Sequence, residues 1–348
     1  MKHGKKHGQR SFSRGFWQTG CTEIFECISY YMGKSLILIF TTASVAQGGL
    51  GLTAAQGAAL QSLFIAFAFF GPLVGGVITD RWLGARYATP IGMVLVGIGY
   101  WCGSMARSVT LVYVMIFFVC AGRSLFQVSA MLGRIVADKD RMDAAYSIRY
   151  TLMNVGGFLG TFSLGILYKD VFAVNGVFGF SACFRVAACA MFLGTIWFIS
   201  GWREIGEVGK RPFKTEKTAE EKNWEKEKLP VTVIEKKRIG AIFLVSGFSV
   251  IFWMLWDLAY LPAYYYWTKY MDWTIAGYEI PVSWFDSSNS LFCVILGPVM
   301  AGVWLRLSRR PKGDMSLFRK TGIALLLLGL AYLYYAVLDI VRGNGKPS

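Results

Sequence analysis

Near the start of the chain, two carboxylates, two tyrosines and an amine recur at close spacing: Glu23, Glu26, Tyr30, Tyr31 and Lys34. At 100° per residue Glu23, Glu26, Tyr30 and Lys34 fall within about 80° of one another, so on a helix they form one polar stripe. The run that carries them stays apolar to about Gly49, long enough to cross a bilayer. A charged group at membrane depth costs about 2.5–3.5 kcal/mol, so three on one face require a buried polar partner or a water-filled cavity. Carboxylates in such a place can take up and release protons. The plainer alternative puts Glu23 at the interface, favoured by the helix dipole, and pairs Glu26 with Lys34.

The elements that must position this stripe are helices in a membrane. Hydrophobic residues make up 55% of the 348 and charged residues 16%, with a mean hydropathy of +0.45, the profile of an all-α polytopic membrane protein. Apolar runs predict nine spans, at about 20–48, 54–79, 87–106, 109–133, 145–168, 176–201, 239–267, 284–305 and 318–340. Residues 1–19 form a basic tail, 20–201 a six-helix bundle, 202–237 a charged linker and 238–348 a partial second bundle of three helices. The linker mixes signs, as in Glu225-Lys226-Glu227-Lys228, and reads as solvated.

Charge placement gives the orientation. Lys and Arg crowd the amino-terminal tail and alternate loops, while the opposite side holds only Arg107, Lys169, Lys269, Arg342 and Lys346, which predicts a cytoplasmic amino terminus. The same placement accounts for the net charge of +15 without a nucleic-acid partner. Both histidines, His3 and His7, lie in the tail, so no span carries a histidine relay or histidine metal site. The seven cysteines lack CxxC spacing and suggest neither a disulfide framework nor a zinc site. No nucleophile–base pair or phosphate loop stands at the spacing an enzyme needs.

Four basic residues remain inside the spans: Lys34, Arg123, Arg149 and Arg185. Arg149 lies near the cytoplasmic end, where its side chain is expected to snorkel. Arg123 and Arg185 lie deeper and are candidates for anion binding or for an internal ion pair.

Six spans followed by a charged linker, with Gly76-Val77-Ile78-Thr79-Asp80-Arg81-Trp82-Leu83-Gly84-Ala85-Arg86 between the second and third, resemble the major facilitator superfamily. The resemblance implies gating and structural roles for Gly76, Asp80, Arg81, Gly84 and Arg86, with the glycine allowing close helix packing and the Asp and Arg locking cytoplasmic helix ends. Further stretches narrow the likeness to the proton-dependent oligopeptide transporter family. Glu23, Glu26, Tyr30, Tyr31 and Lys34 look like its E-x-x-E-R motif with the following tyrosine pair and basic residue. Asp143-Ala144-Ala145-Tyr146-Ser147-Ile148-Arg149-Tyr150, running on to Asn154, is similar to its fifth-helix signature, and Glu279 to Asn289 to the start of its helix 8.

Two cations of the family pattern are missing. The arginine of E-x-x-E-R is Cys27, and the helix 4 lysine falls on Leu125. The family's helix 7 carboxylate is present as Asp257. With two cations gone, Glu23 and Glu26 are expected to be poorly compensated, at least one of them protonated at neutral pH, and Lys34 to be the remaining local cation.

The resemblance implies proton-coupled symport of di- and tripeptides or related zwitterions, energised by a proton gradient without a bound cofactor, in a bacterial plasma membrane. Glu23, Glu26 and Asp257 would couple protons; Tyr30, Tyr31, Lys34, Asn154, Asn289 and Trp256 would line the substrate site. The same fold turned to a non-peptide metabolite or organic anion is the alternative, and a receptor-like protein or inactive fragment a third. The chain stops where the family begins helix 10, so a truncated second half is expected. Oligomeric state is not legible.

Overall fold

In the computed structural model the described residues are 12–136, 139–212, 232–270, 273–275, 277–281, 283–308 and 316–342, and helices occupy every stretch where a span is expected. Seven of these helical stretches are long and apolar enough to cross a membrane. Helix α3 (Ala85–Ser104) is not among them because its four glycines, Arg86 and Pro90 dilute its apolar residues.

The contacts divide the chain into two units, residues 1–217 with 283–294 and residues 218–282 with 295–348. In the first unit α1 (Arg14–Thr42) is the hub. It packs on α6 (Lys139–Ile166), α7 (Phe180–Ser200) and α2 (Ala54–Ile78), while α3 packs on α4 (Val109–Ser124) and α7. Glycines set the closest approaches. A Cβ built on Gly156 or Gly160 of α6 would stand 2.6 Å from the carbonyl oxygen of Ile24 or Ile28 of α1, so the two backbones touch where a side chain would part them. Gly92 of α3 and Gly122 of α4 meet in the same way, each 2.4 Å from the other's carbonyl oxygen by the same construction. Among them lies a core of Met32, Phe64, Tyr100, Met115, Phe180 and Phe184.

Capping explains where the helices begin. Ser13 accepts a hydrogen bond from Phe16 N at the start of α1, and Thr53 and Gln56 form a reciprocal capping box on α2. Single π-type turns, Thr79–Leu83 and Leu167–Val171, close α2 and α6. The expected fourth span is two helices, α4 and α5 (Val128–Ile135). Leu125 N and Phe126 N bond back three residues to Gly122 O and Arg123 O, tightening the turn, and the Gln127 amide donates to Ser124 O. Gly75 of α2 presses on this turn: a Cβ there would lie 2.0 Å from Ser124 O. A short α8 (Trp202–Ile205) follows α7, and residues 213–231 of the expected linker lie outside the described residues.

The second unit contains α9 (Val233–Tyr270), α11 (Leu317–Arg342) and the latter half of α10 (Ser283–Ser308). Thr232 and Glu235 cap α9 reciprocally, and Tyr332 of α11 donates to Leu255 O of α9. Between α9 and α10 the chain pairs Thr274–Ile275 with Tyr278–Glu279 in an antiparallel hairpin, with Gly277 at φ +82° in its turn.

Candidate functional site

The polar stripe of α1 faces inward, as the cost of exposing it requires. Glu23 is 1% exposed and Glu26 6%. Each carboxylate meets a guanidinium from another helix. Arg149 Nε of α6 donates to Glu23 Oε1 at 2.7 Å, and Arg123 Nη1 of α4 donates to Glu26 Oε1. The Arg123 guanidinium also lies over the Tyr30 ring, its Cζ 3.8 Å from the centroid, and Tyr30 stacks on Phe64 of α2. The Cys27 thiol donates to Glu26 Oε2 at 3.6 Å.

This arrangement corrects two expectations. Arg149 does not snorkel; its side chain is 20% exposed and spent on Glu23. Nor is Lys34 the remaining local cation, since Arg123 of α4 and Arg149 of α6 each pair with one of the two carboxylates. The physical reason is packing. Gly156 of α6 lies against Cys27, a Cβ on it standing 2.7 Å from Cys27 Cβ, so a long basic side chain at 27 would part the helices. Buried carboxylates still need partners, and guanidinium forks from α4 and α6 supply them. The signal was present in the sequence: two deep carboxylates against only four basic residues in the spans.

Of the two arginines expected to bind anions or pair internally, Arg123 does pair. Arg185 is exposed on α7 and forms no ion pair with a described residue. The donor atoms of Glu23, Glu26 and Cys27 lie within 4.8 Å of one another. With two guanidiniums on the carboxylates, that set suits proton exchange better than a metal cation, which would meet their like charge at close range.

The other expected site residues are placed as follows. Tyr31 is half-buried beside Tyr30, edge to face at 5.3 Å. Lys34 is half-buried, and its carbonyl accepts from Gln61 Nε2 of α2 at 2.9 Å. Asn154 Nδ2 donates to Tyr150 O within α6, at 2.8 Å. Asn289 is half-buried in the first half of α10, which packs with the first unit. There Asp286, absent from the expected site, accepts from Ser35 Oγ of α1 at 3.1 Å, while Trp284 stacks on Phe162 of α6 at 4.7 Å and donates to its carbonyl. Trp256 stacks on Phe252 in the second unit, and the side chain of Asp257 lies outside the described residues.

The loop after α2 is built differently from expectation. A Cβ on Gly76 would meet nothing within 4 Å among the described residues; the close packing falls to Gly75. Asp80 and Arg81 form no ion pair with a described residue. The lock is Arg86, buried at the start of α3, which donates to Trp202 O at 2.6 Å and to Gly206 O and lies 5.0 Å over the Trp202 ring. It thereby binds carbonyls left free where α7 and α8 end. Gly84, at φ +76°, lets the backbone pass within reach of Gly209, whose carbonyl accepts from Arg86 N.

The family model described as Major Facilitator Superfamily matches residues 27–343. Among curated proteins the chain is 23% identical to the peptide transporter YePEPT of Yersinia enterocolitica, over 93% of this chain and 74% of that one. It is also 23% identical to a di-/tripeptide transporter of Lactococcus lactis subsp. cremoris, over 96% and 77%. Among solved structures it resembles a POT family transporter in complex with 5-aminolevulinic acid, with a TM-score of 0.82 at 23% identity, covering 97% of this chain and 78% of that one. A peptide transporter POT in complex with alafosfalin gives a TM-score of 0.81 at 24% identity, covering 97% and 77%. With its apolar helices and a family model matched over residues 27–343, the chain is an integral membrane transporter of the Major Facilitator Superfamily, similar at 23–24% identity to POT family peptide transporters.

Proposed function

We propose that this chain is a secondary active symporter, moving di- and tripeptides or related zwitterions inward with protons by alternating access. The observation that carries this reading is the pair of buried carboxylates on α1, each held by an arginine of another helix. An ion pair of this kind is stable only while both members are charged. When Glu26 takes a proton it loses its claim on Arg123, and the freed guanidinium then suits a substrate carboxylate; release of substrate restores the pair and expels the proton. Glu23 with Arg149 forms the second such pair. Tyr30, Tyr31, Lys34, Asn154, Asn289 and Trp256 would line the substrate site, and Asp257 would couple the second unit.

The energy source is the proton gradient, with no bound cofactor, and the setting a bacterial plasma membrane with the amino terminus cytoplasmic, as the charge asymmetry of the loops supports. Relatives named as peptide transporters support a peptide-type substrate. The structural neighbour that holds 5-aminolevulinic acid supports extending the class to zwitterions without a peptide bond.

The test is uptake of radiolabelled dialanine into proteoliposomes, with and without an inward acid gradient, beside Glu26→Gln. Gradient-driven uptake that the substitution abolishes is expected. Folded, monodisperse protein that ignores the gradient, or a Glu26→Gln variant as active as the parent, overturns the proposal.

A further inference from the structure

Away from the acidic stripe, a groove of about 380 Å³ lies between α3 and α7, lined from Tyr87 to Leu95 on one side and from Thr195 to Trp202 on the other. Spans of eight and seven residues, at 1.5 Å each, make it about 10–12 Å long and parallel to the helix axes. Its wall is apolar throughout, since the Thr195 hydroxyl turns back to Met191 O at 2.8 Å. Ile91, Val94 and Ile199 are exposed along it, so it opens on the outer surface of the bundle.

The two ends differ. Near the start of α1, where Arg14 meets Glu204 at 3.7 Å, the groove ends at Tyr87 and Trp202, packed edge to face at 5.7 Å. Arg86 lies over the Trp202 ring with its guanidinium held by carbonyl oxygens alone, and Arg203, the residue after Trp202, is exposed. The turn before α3 adds Arg81, also exposed. The acidic residues here are largely spent: Glu204 on Arg14, and Glu207 on Lys210 at 2.6 Å. Within residues 79–86 and 202–211, Arg81, Arg86, Arg203 and Arg211 therefore stand against Asp80 alone, none of them in an ion pair with a described residue.

An apolar slot along the bilayer normal, closed by Trp and Tyr and rimmed by uncompensated cations, has the chemistry of a lipid site. Trp and Tyr settle at headgroup level, and basic clusters beside a span attract anionic headgroups. A helix of another protein, about 10–12 Å across with its side chains, is too thick for a groove of this volume, whereas an acyl chain is thin and unbranched. We propose that the groove binds one anionic phospholipid from the leaflet on the amino-terminal side, with an acyl chain between α3 and α7 and its phosphate drawn to Arg203 and Arg81.

The test is native mass spectrometry of the full chain, titrated from detergent with dioleoyl phosphatidylglycerol or dioleoyl phosphatidylcholine, which share their chains and differ in net charge. One phosphatidylglycerol bound about tenfold more tightly than phosphatidylcholine is expected. Arg203→Gln should lower that preference about fivefold, the worth of one basic residue at an anionic lipid surface, while Arg107→Gln, exposed at the other end of α3, leaves it within about twofold. Val94→Trp, which fills the groove from an exposed position, should weaken both lipids about tenfold, and Phe117→Trp on the exposed face of α4 should weaken neither. Equal binding of the two lipids by the parent overturns the proposal, and so does an equal effect of Arg203→Gln and Arg107→Gln. A Val94→Trp variant that holds phosphatidylglycerol as tightly as the parent places the lipid elsewhere, and a dimer of the parent that Val94→Trp abolishes assigns the groove to a second copy of the chain; either overturns it too. Should Val94→Trp fail to fold, the comparison of the two arginines decides.

Discussion

Arg149 Nε and Glu23 Oε1 stand 2.7 Å apart, an ion pair that ties α6 to α1 with both side chains largely withdrawn from solvent. Removing one partner of such a pair leaves an uncompensated charge, which costs about 3–5 kcal/mol, whereas removing both costs less. Arg149→Gln and Glu23→Gln are therefore each expected to lower unfolding free energy in bicelles, with the double variant recovering part of the loss. Strict additivity across that double-mutant cycle would show that the pair contributes nothing of its own.

The α1–α6 approach gives a second expectation. A Cβ at Gly156 would lie 2.6 Å from Ile24 O, on a neighbouring backbone that cannot yield cheaply, and 2.7 Å from Cys27 Cβ. Gly156→Val should destabilise the fold by about 1–3 kcal/mol or more, and Cys27→Arg should be similarly harmful, while Cys27→Ala stays close to the parent. Thermal unfolding in detergent ranks the three; a tolerated Cys27→Arg would refute the account of why this position gave up its cation.

Arg86 is expected to resist conservative exchange. Its guanidinium fork serves two carbonyls, on Trp202 and Gly206, and lies over an indole ring. Lysine carries the charge without the fork, so Arg86→Lys should lose about 1.5–3 kcal/mol, nearly as much as Arg86→Gln. Equal stability of the lysine variant and the parent would mean that charge alone secures α8.

The first turns of α10 are held to α1 and α6 by a small set of contacts, of which Trp284 makes two. Trp284→Ala should speed backbone amide exchange across residues 283–294 by about tenfold or more, with α1 and α3 unaffected. Exchange that stays at the parent's rate would place the anchoring of this segment elsewhere, with Ser35 and Asp286 next to be tested.

How far the sequence discloses this molecule depends on distance along the chain. The acidic stripe and the apolar runs are local patterns with the helix period, and they were readable directly. Which arginine meets which carboxylate depends on how α4 and α6 are rotated against α1, which Gly156, Gly160 and their neighbours set through contacts more than a hundred residues apart. Burial cost required partners for Glu23 and Glu26 without naming them, so Lys34, the nearest cation in sequence, was preferred to Arg123 and Arg149. The α4–α5 break was hidden for a different reason: Leu125, Phe126 and Gln127 contain no proline or glycine, and the turn is pressed into shape by Gly75 of another helix. Asp80, Arg81 and Arg86 were all expected to act after α2, and of these Arg86 makes the described contacts, because the carbonyls of Trp202 and Gly206 give a buried guanidinium its acceptors.

The backbone contact at Gly156 and Gly160 divides the labour between the two ion pairs. Helices that touch main chain to main chain move as one beam, so Glu23 and Arg149 travel together whatever the rest of the bundle does. Glu26 instead reaches to α4, whose main packing partners are α3 and α2. A rocking motion that shears α4 against α1 would therefore strain the Glu26–Arg123 pair while leaving its neighbour intact, making one pair a hinge pin and the other a clasp.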